Sequence, residues 1–348
     1  MNGKNIGKAL NAKLNDWLKH IDSDEIKKVI KEKAIITGGA LVSLLEGEPP
    51  NDYDVYFKDY DACLKVAHYY ANKWNATKET KVYVIDDTEL FELYKANLLY
   101  LYDWCFGQGD DSAGREAHNK SILASSPQLK NEIEKLTSDT TRHKRITCFI
   151  RSAGIAAEDG ESGVDDDTEP REETEPDTSE TEEEQQAGFP KYRPRYFSSN
   201  AISLSDKIQI VIRFYGSVEE IHTNYDFVHC TCSYDFQENK VNLPAAALEA
   251  IINKELYYTG SKYPLCSIIR SRKFITRGWH INAGQYLKMC LQLNELNFKN
   301  LNVFKDQLAG VDSAYFNQAI NLIIARKEKE PDFQIDNTYL FEIINRIF

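Results

Sequence analysis

The 348-residue sequence lacks the cysteine pairings and the long apolar runs that mark extracytoplasmic and membrane proteins. Its seven cysteines (Cys63, Cys105, Cys148, Cys230, Cys232, Cys266, Cys290) are odd in number, scattered, and without a C-x-x-C pair, which points to a reducing, intracellular setting. Residues 1–13 contain no apolar core of signal-peptide type. No run approaches the roughly 20 apolar residues of a membrane span. The expectation is a cytoplasmic protein with no membrane partner. No internal repeat is found.

What is present is a globular composition, 42% apolar and 11% aromatic, with one exception that distorts the charge. Between Glu158 and Glu184 stand fifteen acidic residues against the single base Arg171, a net of −14. The whole chain carries −12, so the remainder sums to +2 and is near neutral with local basic clusters. Low hydrophobicity, two prolines and dense like charge make residues 156–188 an acidic disordered insert or linker, read as a solvated spacer.

Apolar spacing predicts two helices over residues 5–32, broken around 22–24, then a strand at 34–37. The Gly38-Gly39 turn leads into a helix ending near Gly47, and Pro49-Pro50-Asn51 force an extended approach to a strand at 53–57. Alternation continues with a helix near 60–74, a strand at 81–85, helices near 88–105 and 115–136, and a strand at 145–150. After the acidic segment come a strand at 208–214, a short helix at 218–222 and a strand at 226–233. Helices follow at 244–255, 263–277, 282–295, 312–327 and 338–347. The fold class is therefore α+β. Residues 1–155 and 189–240 form a head with a small mixed sheet flanked by helices, and residues 241–348 form an α-helical neck or body.

The residues that carry chemistry cluster between 38 and 54. Side chains alternate along a strand, so Asp52 and Asp54 share one face, about 6.5 to 7 Å apart at the backbone. Two carboxylates so placed suit hard cations in a two-ion arrangement, which would activate an attacking hydroxyl and steady a leaving pyrophosphate. Gly38 and Gly39 lack Cβ, so backbone N–H groups at a helix N-terminus, with Ala40 next, can approach a triphosphate closely. Either half alone reads as an ordinary β-turn-α with surface aspartates. Their combination, with Leu44-Leu45 and the Gly-x-Pro-Pro turn between them, favours the functional reading.

This segment resembles the head of the tRNA nucleotidyltransferases and poly(A) polymerases, members of the DNA polymerase β superfamily, whose motif runs G-G-x-V-R-D-L-L-L-G-x-x-P-x-D-x-D. Gly38, Gly39, Leu44, Leu45, Gly47, Pro50, Asp52 and Asp54 match in register, and Val42-Ser43 replaces the motif's Arg-Asp. Asn224-Tyr225-Asp226-Phe227 is similar to the family's R-R-D-F-T-x-N motif without its arginines. Asp226 is thus the candidate third carboxylate, with turn capping as its other reading; Gln209 stands on the preceding strand where an acid is expected. Residues 264–281 resemble the family's neck helix, which implies phosphate contacts from Arg270, Arg272 and Lys273. The match covers residues 30–60 and 205–285. There is no E-D-x-x-R-type segment, so a CCA-adding enzyme is not supported.

The resemblance implies a Mg2+-dependent transferase, with Mn2+ as the alternative ion, moving a nucleoside monophosphate from an NTP such as ATP to an acceptor hydroxyl, foremost an RNA 3′ end. Alternatives are nucleotidylation of a protein and a catalytically silent binding module. Similar divergent heads occur in phages and large viruses. Two other groups have simpler readings. His229, Cys230 and Cys232 suggest zinc, but with no second ligand pair at metal spacing they read as a packed strand. Lys191-Tyr192-Arg193-Pro194-Arg195-Tyr196 interleaves bases with aromatics, either as a single-strand nucleic-acid contact or as the foot of the linker.

Overall fold

The computed structural model describes residues 2–86, 144, 146–150, 156–157, 190–198 and 200–298, with isolated positions between 303 and 345. The helices expected at 88–105, 115–136, 312–327 and 338–347, and the acidic segment past residue 157, lie outside the described residues apart from those isolated positions.

The first elements follow the sequence signals closely. Asn2 caps α1 (Gly3–Lys19) by accepting from the Asn5 amide, Ser23 caps α2 (Asp24–Lys33) at Ile26, and Asp59 caps α4 (Tyr60–Thr77) at Ala62. Each such cap contributes about 1 kcal/mol. Between them run β1 (Ala34–Thr37), α3 (Gly39–Glu46) and β2 (Tyr53–Phe57). Gly47, at φ 88°, ends α3 in the left-handed conformation that glycine adopts without steric cost.

A two-stranded sheet pairs β3 (Val82–Asp86) with β4 (Ile146–Ile150). The larger sheet adds β5 (Ala156–Ala157), β6 (Pro194–Phe197), β7 (Ala201–Leu204), β8 (Ile208–Val211), β9 (Ser233–Asp235) and β10 (Lys240–Asn242), in the order β10-β9-β1-β2-β8-β7-β6-β5. It is mixed: β1 and β2 are antiparallel, whereas β2 and β8 are parallel. The short helix α5 (Val218–His222) follows β8 as expected. The architecture is therefore α+β, a mixed sheet flanked by helices.

Register decides which side of this sheet is core. One row of neighbours, Tyr234, Ile36, Val55, Ile210, Ile202 and Phe197, is fully buried. Trp74 of α4 stacks edge-on against Phe197 at 5.5 Å, and Asn11 of α1 donates to the Tyr234 hydroxyl. Burying each large apolar side chain contributes about 1.5 to 3 kcal/mol. The helices α1 and α4 are themselves joined by the Trp17 indole N–H, which donates to the Tyr70 hydroxyl at 2.6 Å.

The chain divides into two compact units. The described residues of the first fall within Met1–Gly163, Thr178–Ile221 and Ser233–Asn242 and include every strand. Those of the second fall within His222–Cys232 and Leu243–Phe348. This second unit is helical, with α6 (Ala245–Asn253), α7 (Pro264–Thr276) and α8 (Ala283–Leu293).

The strand expected over 226–233 is not formed. Phe227 makes only an isolated bridge to Tyr258, and a 3-10 helix, Val228–Thr231, follows. The tighter helical period turns His229 inward, fully buried, with its ring 4.5 Å from Phe274 and 4.4 Å from Trp279. Burial of an imidazole among aromatics holds His229 neutral, its pKa pushed down to about 3.

Candidate functional site

The site-forming segment lies in the first unit. β1 is buried along its length and leads into Gly38, which is buried as well. Gly38 stands at φ 88°, ψ −145°, a conformation essentially confined to glycine, and its torsions turn the chain sharply into α3. No side chain caps the N-terminus of that helix. Gly39 is exposed, and a Cβ built on it would meet nothing within 4 Å, so open space lies against the first helical residue. Ala40, the next residue of the helix, is buried.

Pro49, Pro50 and Asn51 then return the chain to the sheet, where Tyr53 N–H donates to the Lys207 carbonyl at 2.7 Å and fixes the start of β2. Lys207 also reaches the Pro50 carbonyl through its ammonium, at 3.3 Å. Asp52 immediately precedes β2 and Asp54 lies within it, and both are half-buried. Tyr53, between them, points the other way, near the Lys13 ammonium, which lies 5.3 Å from its ring centroid. Val42, where the resembled motif has arginine, is buried in α3, and Ser43 is half-buried.

Asp54 is in direct register with Gln209 of β8, and Gln209 in turn with Ser203 of β7. On the other side, continuing the β1–β2 register sets Thr37 beside Asp54. Thr37 and Ser203 are buried, while Asp54 and Gln209 are half-exposed. The face opposite the helix-covered core thus opens at a carboxylate and an amide, flanked by two buried hydroxyls.

Two carboxylates two residues apart are hard oxygen donors of the type Mg2+ takes, so the donor set fits a divalent cation. Among the described residues no group of three or more His, Cys, Asp or Glu side chains could hold a metal ion.

The remaining residues chosen from the sequence belong to the second unit. Asp226 is buried at a bend and does not begin a strand. Its carbonyl accepts from the Thr259 N–H at 2.9 Å, and its carboxylate accepts from the Arg270 guanidinium of α7. Burial, the largest single influence, opposes the Arg270 charge, but Asp226 together with the Cys266 and Cys230 thiols raises the arginine pKa on balance. The structure therefore brings together Asp226 and Arg270, one as the candidate third acid and the other as a candidate phosphate ligand. Arg272 and Lys273, on the same helix, are exposed.

His229 Nε2 lies 3.3 Å from the Cys230 thiol and packs among Phe227, Phe274 and Trp279, the contacts of a core side chain. Tyr192, in the basic and aromatic run, is buried and donates to Asp16 at 3.0 Å, while Pro194 opens β6. This run is at least in part sheet and core. A cleft of about 510 Å³ in the second unit is lined by His222, Tyr225, Thr259, Lys262, Gln292 and Glu295 among others, and by none of the residues chosen from the sequence.

Fold and site together define a mixed α+β protein with a carboxylate-bearing strand beside an uncapped helix N-terminus. The family model of the Gabija anti-defense 2 family matches residues 8–254, more than half of the chain, and the chain belongs to that family. The matched span takes in the whole β1–α3–β2 segment and ends before α7. No curated protein and no solved structure matches the chain.

Proposed function

We propose that the first unit is a metal-dependent nucleotidyltransferase head of the DNA polymerase β type, which transfers a nucleoside monophosphate from an NTP to an acceptor hydroxyl. One juxtaposition supports this reading above all. The uncapped α3 N-terminus at Gly38-Gly39 and the carboxylates Asp52 and Asp54 belong to consecutive elements, β1–α3–β2, of one antiparallel strand pair.

In this reading the backbone N–H groups of Gly39 and Ala40 bind the triphosphate, favoured by the helix dipole and by the open space at Gly39. Asp52 and Asp54 hold Mg2+ or Mn2+. When bound, such ions neutralise charge on the transferring phosphoryl group and acidify the acceptor hydroxyl. Arg270 is engaged by Asp226 within the second unit.

The acceptor is taken first as an RNA 3′ end, in keeping with the resemblance to RNA-extending heads. A protein acceptor, toxin-like or regulatory, is the second reading.

Melting with Mg2+ and each NTP tests the head directly. Both ligands together should raise the melting temperature of the wild type, by about 2.7 kcal/mol of added stability at a hundredfold excess over Kd. Asp52→Ala combined with Asp54→Ala should abolish the shift. No shift of the wild type with any NTP would overturn the reading.

A further inference from the structure

Among the described residues, five that are not glycine have φ between 49° and 63°, and three of them, Tyr192, Asp206 and Lys207, gather around Lys13 of α1. The Lys13 ammonium donates to the Asp206 carbonyl at 2.5 Å. It also lies 4.9 Å from the Tyr192 ring centroid and 5.3 Å from that of Tyr53. Such torsions persist only where the surroundings hold them, and they concentrate at sites of function. The other two have local explanations: Lys254 ends α6, and Asn239 turns the β9–β10 hairpin.

Asp206 and Lys207 turn the chain between β7 and β8, at φ 58° and 63°. Turns of this hand favour glycine, asparagine or aspartate, so Asp206 is ordinary there and the lysine is not. Lys207 grips the segment around Asp52. Its carbonyl accepts from the Tyr53 N–H at 2.7 Å, and its ammonium donates to the Pro50 carbonyl at 3.3 Å. One residue thereby holds the chain on both sides of Asp52. Asp54 lies inside the β2–β8 ladder, whereas Asp52 stands one residue before its start. For the two carboxylates to share a face, extended backbone must continue through Asp52.

Resting on the head reading above, we propose that Lys207 is a positioning residue for Asp52, a clamp on residues 50–53 that Lys13 braces from α1 through the Asp206 carbonyl. The clamp carries the strand geometry one residue past its ladder and so sets the Asp52 carboxylate alongside that of Asp54. It acts through the backbone and not on the substrate. Loosening it leaves both carboxylates in the chain but no longer in one geometry, which raises the Mg2+ concentration the reaction requires and lowers its rate.

Incorporation of label from [α-32P]NTPs by the full chain, measured across a range of Mg2+ concentrations, tests the clamp. Lys207→Gly removes the ammonium and keeps the turn, because glycine adopts left-handed torsions freely. Lys207→Met removes the charge and keeps the stem, and Lys207→Arg restores a donor. Lys207→Gly and Lys207→Met should need about tenfold more Mg2+ for half-maximal rate and should reach a rate about tenfold lower, while Lys207→Gly melts as the wild type does. Lys207→Arg should recover most of the loss. A lowered melting temperature with an unchanged Mg2+ requirement would mean a role in folding alone and would overturn the clamp. If Asp52→Ala lowers incorporation while Lys207→Gly and Lys207→Met match the wild type, the clamp falls and the head reading stands. If wild type and Asp52→Ala incorporate alike, both fall.

Discussion

The Asp226 carboxylate accepts a hydrogen bond from the Arg270 guanidinium, tying the segment before the 3-10 helix to α7 within the helical unit. Asp226 is almost inaccessible to solvent, so its charge is compensated by this partner. This ion pair is an arrangement that neither sequence reading of Asp226, third carboxylate or turn cap, describes.

A double-mutant cycle of Asp226→Asn and Arg270→Met, read by urea unfolding, should therefore give a coupling of about 1 to 3 kcal/mol, toward the lower end because Arg270 is partly exposed. Asp226→Asn should leave Mn2+ binding unchanged. Loss of Mn2+ binding without loss of stability would restore Asp226 as a metal ligand.

His229 predicts an acid sensitivity of definite sign. Its folded pKa is pushed down to about 3 by burial, below the ordinary imidazole value, so the unfolded chain binds the extra proton. The stability it contributes is complete above about pH 6.5 and is lost as pH falls toward 3. Between pH 7 and pH 5 this amounts to about 2 kcal/mol, and His229→Phe should lose less stability over that interval by about this amount. Equal pH dependence of the two proteins in urea titrations would contradict the assignment.

At Gly39 folding and function should separate. An added side chain enters open space, so Gly39→Asp should change stability by no more than about 0.5 kcal/mol. It also places a carboxylate where the triphosphate is proposed to lie, so the NTP-dependent melting shift should vanish. Retention of that shift would remove the α3 N-terminus from the account.

Tyr192 tests the basic and aromatic run. Its hydroxyl donates to Asp16 from a buried position, so Tyr192→Phe should cost about 0.5 to 1.5 kcal/mol. Binding of a single-stranded oligonucleotide, measured by fluorescence anisotropy, should not change.

The β1–α3–β2 segment was legible in the sequence because its boundaries are chemical. Gly38 and Gly47 occupy torsions that favour glycine, and Pro49-Pro50 bars helix before β2. The β6–β7 pair was not legible. Its Arg195-Tyr196 reads as a basic surface, and only the pairing with β7 reveals a strand. The 3-10 helix at 228–231 was misread as strand because a short alternating run satisfies either period, and packing of His229 against Phe274 and Trp279 decides between them. Asp52 and Asp54 were found by spacing. The register of Gln209 with Asp54 depends on a long-range parallel pairing that no local pattern encodes.

Incorporation of label from [α-32P]NTPs, measured separately in RNA and protein fractions with Mg2+, tests the central claim most directly. The wild type should incorporate label, and incorporation should fall by more than about a hundredfold when Asp52 and Asp54 are both alanine. Label in RNA or in protein identifies the acceptor. Equal incorporation by wild type and the double variant would contradict nucleotidyl transfer at this site.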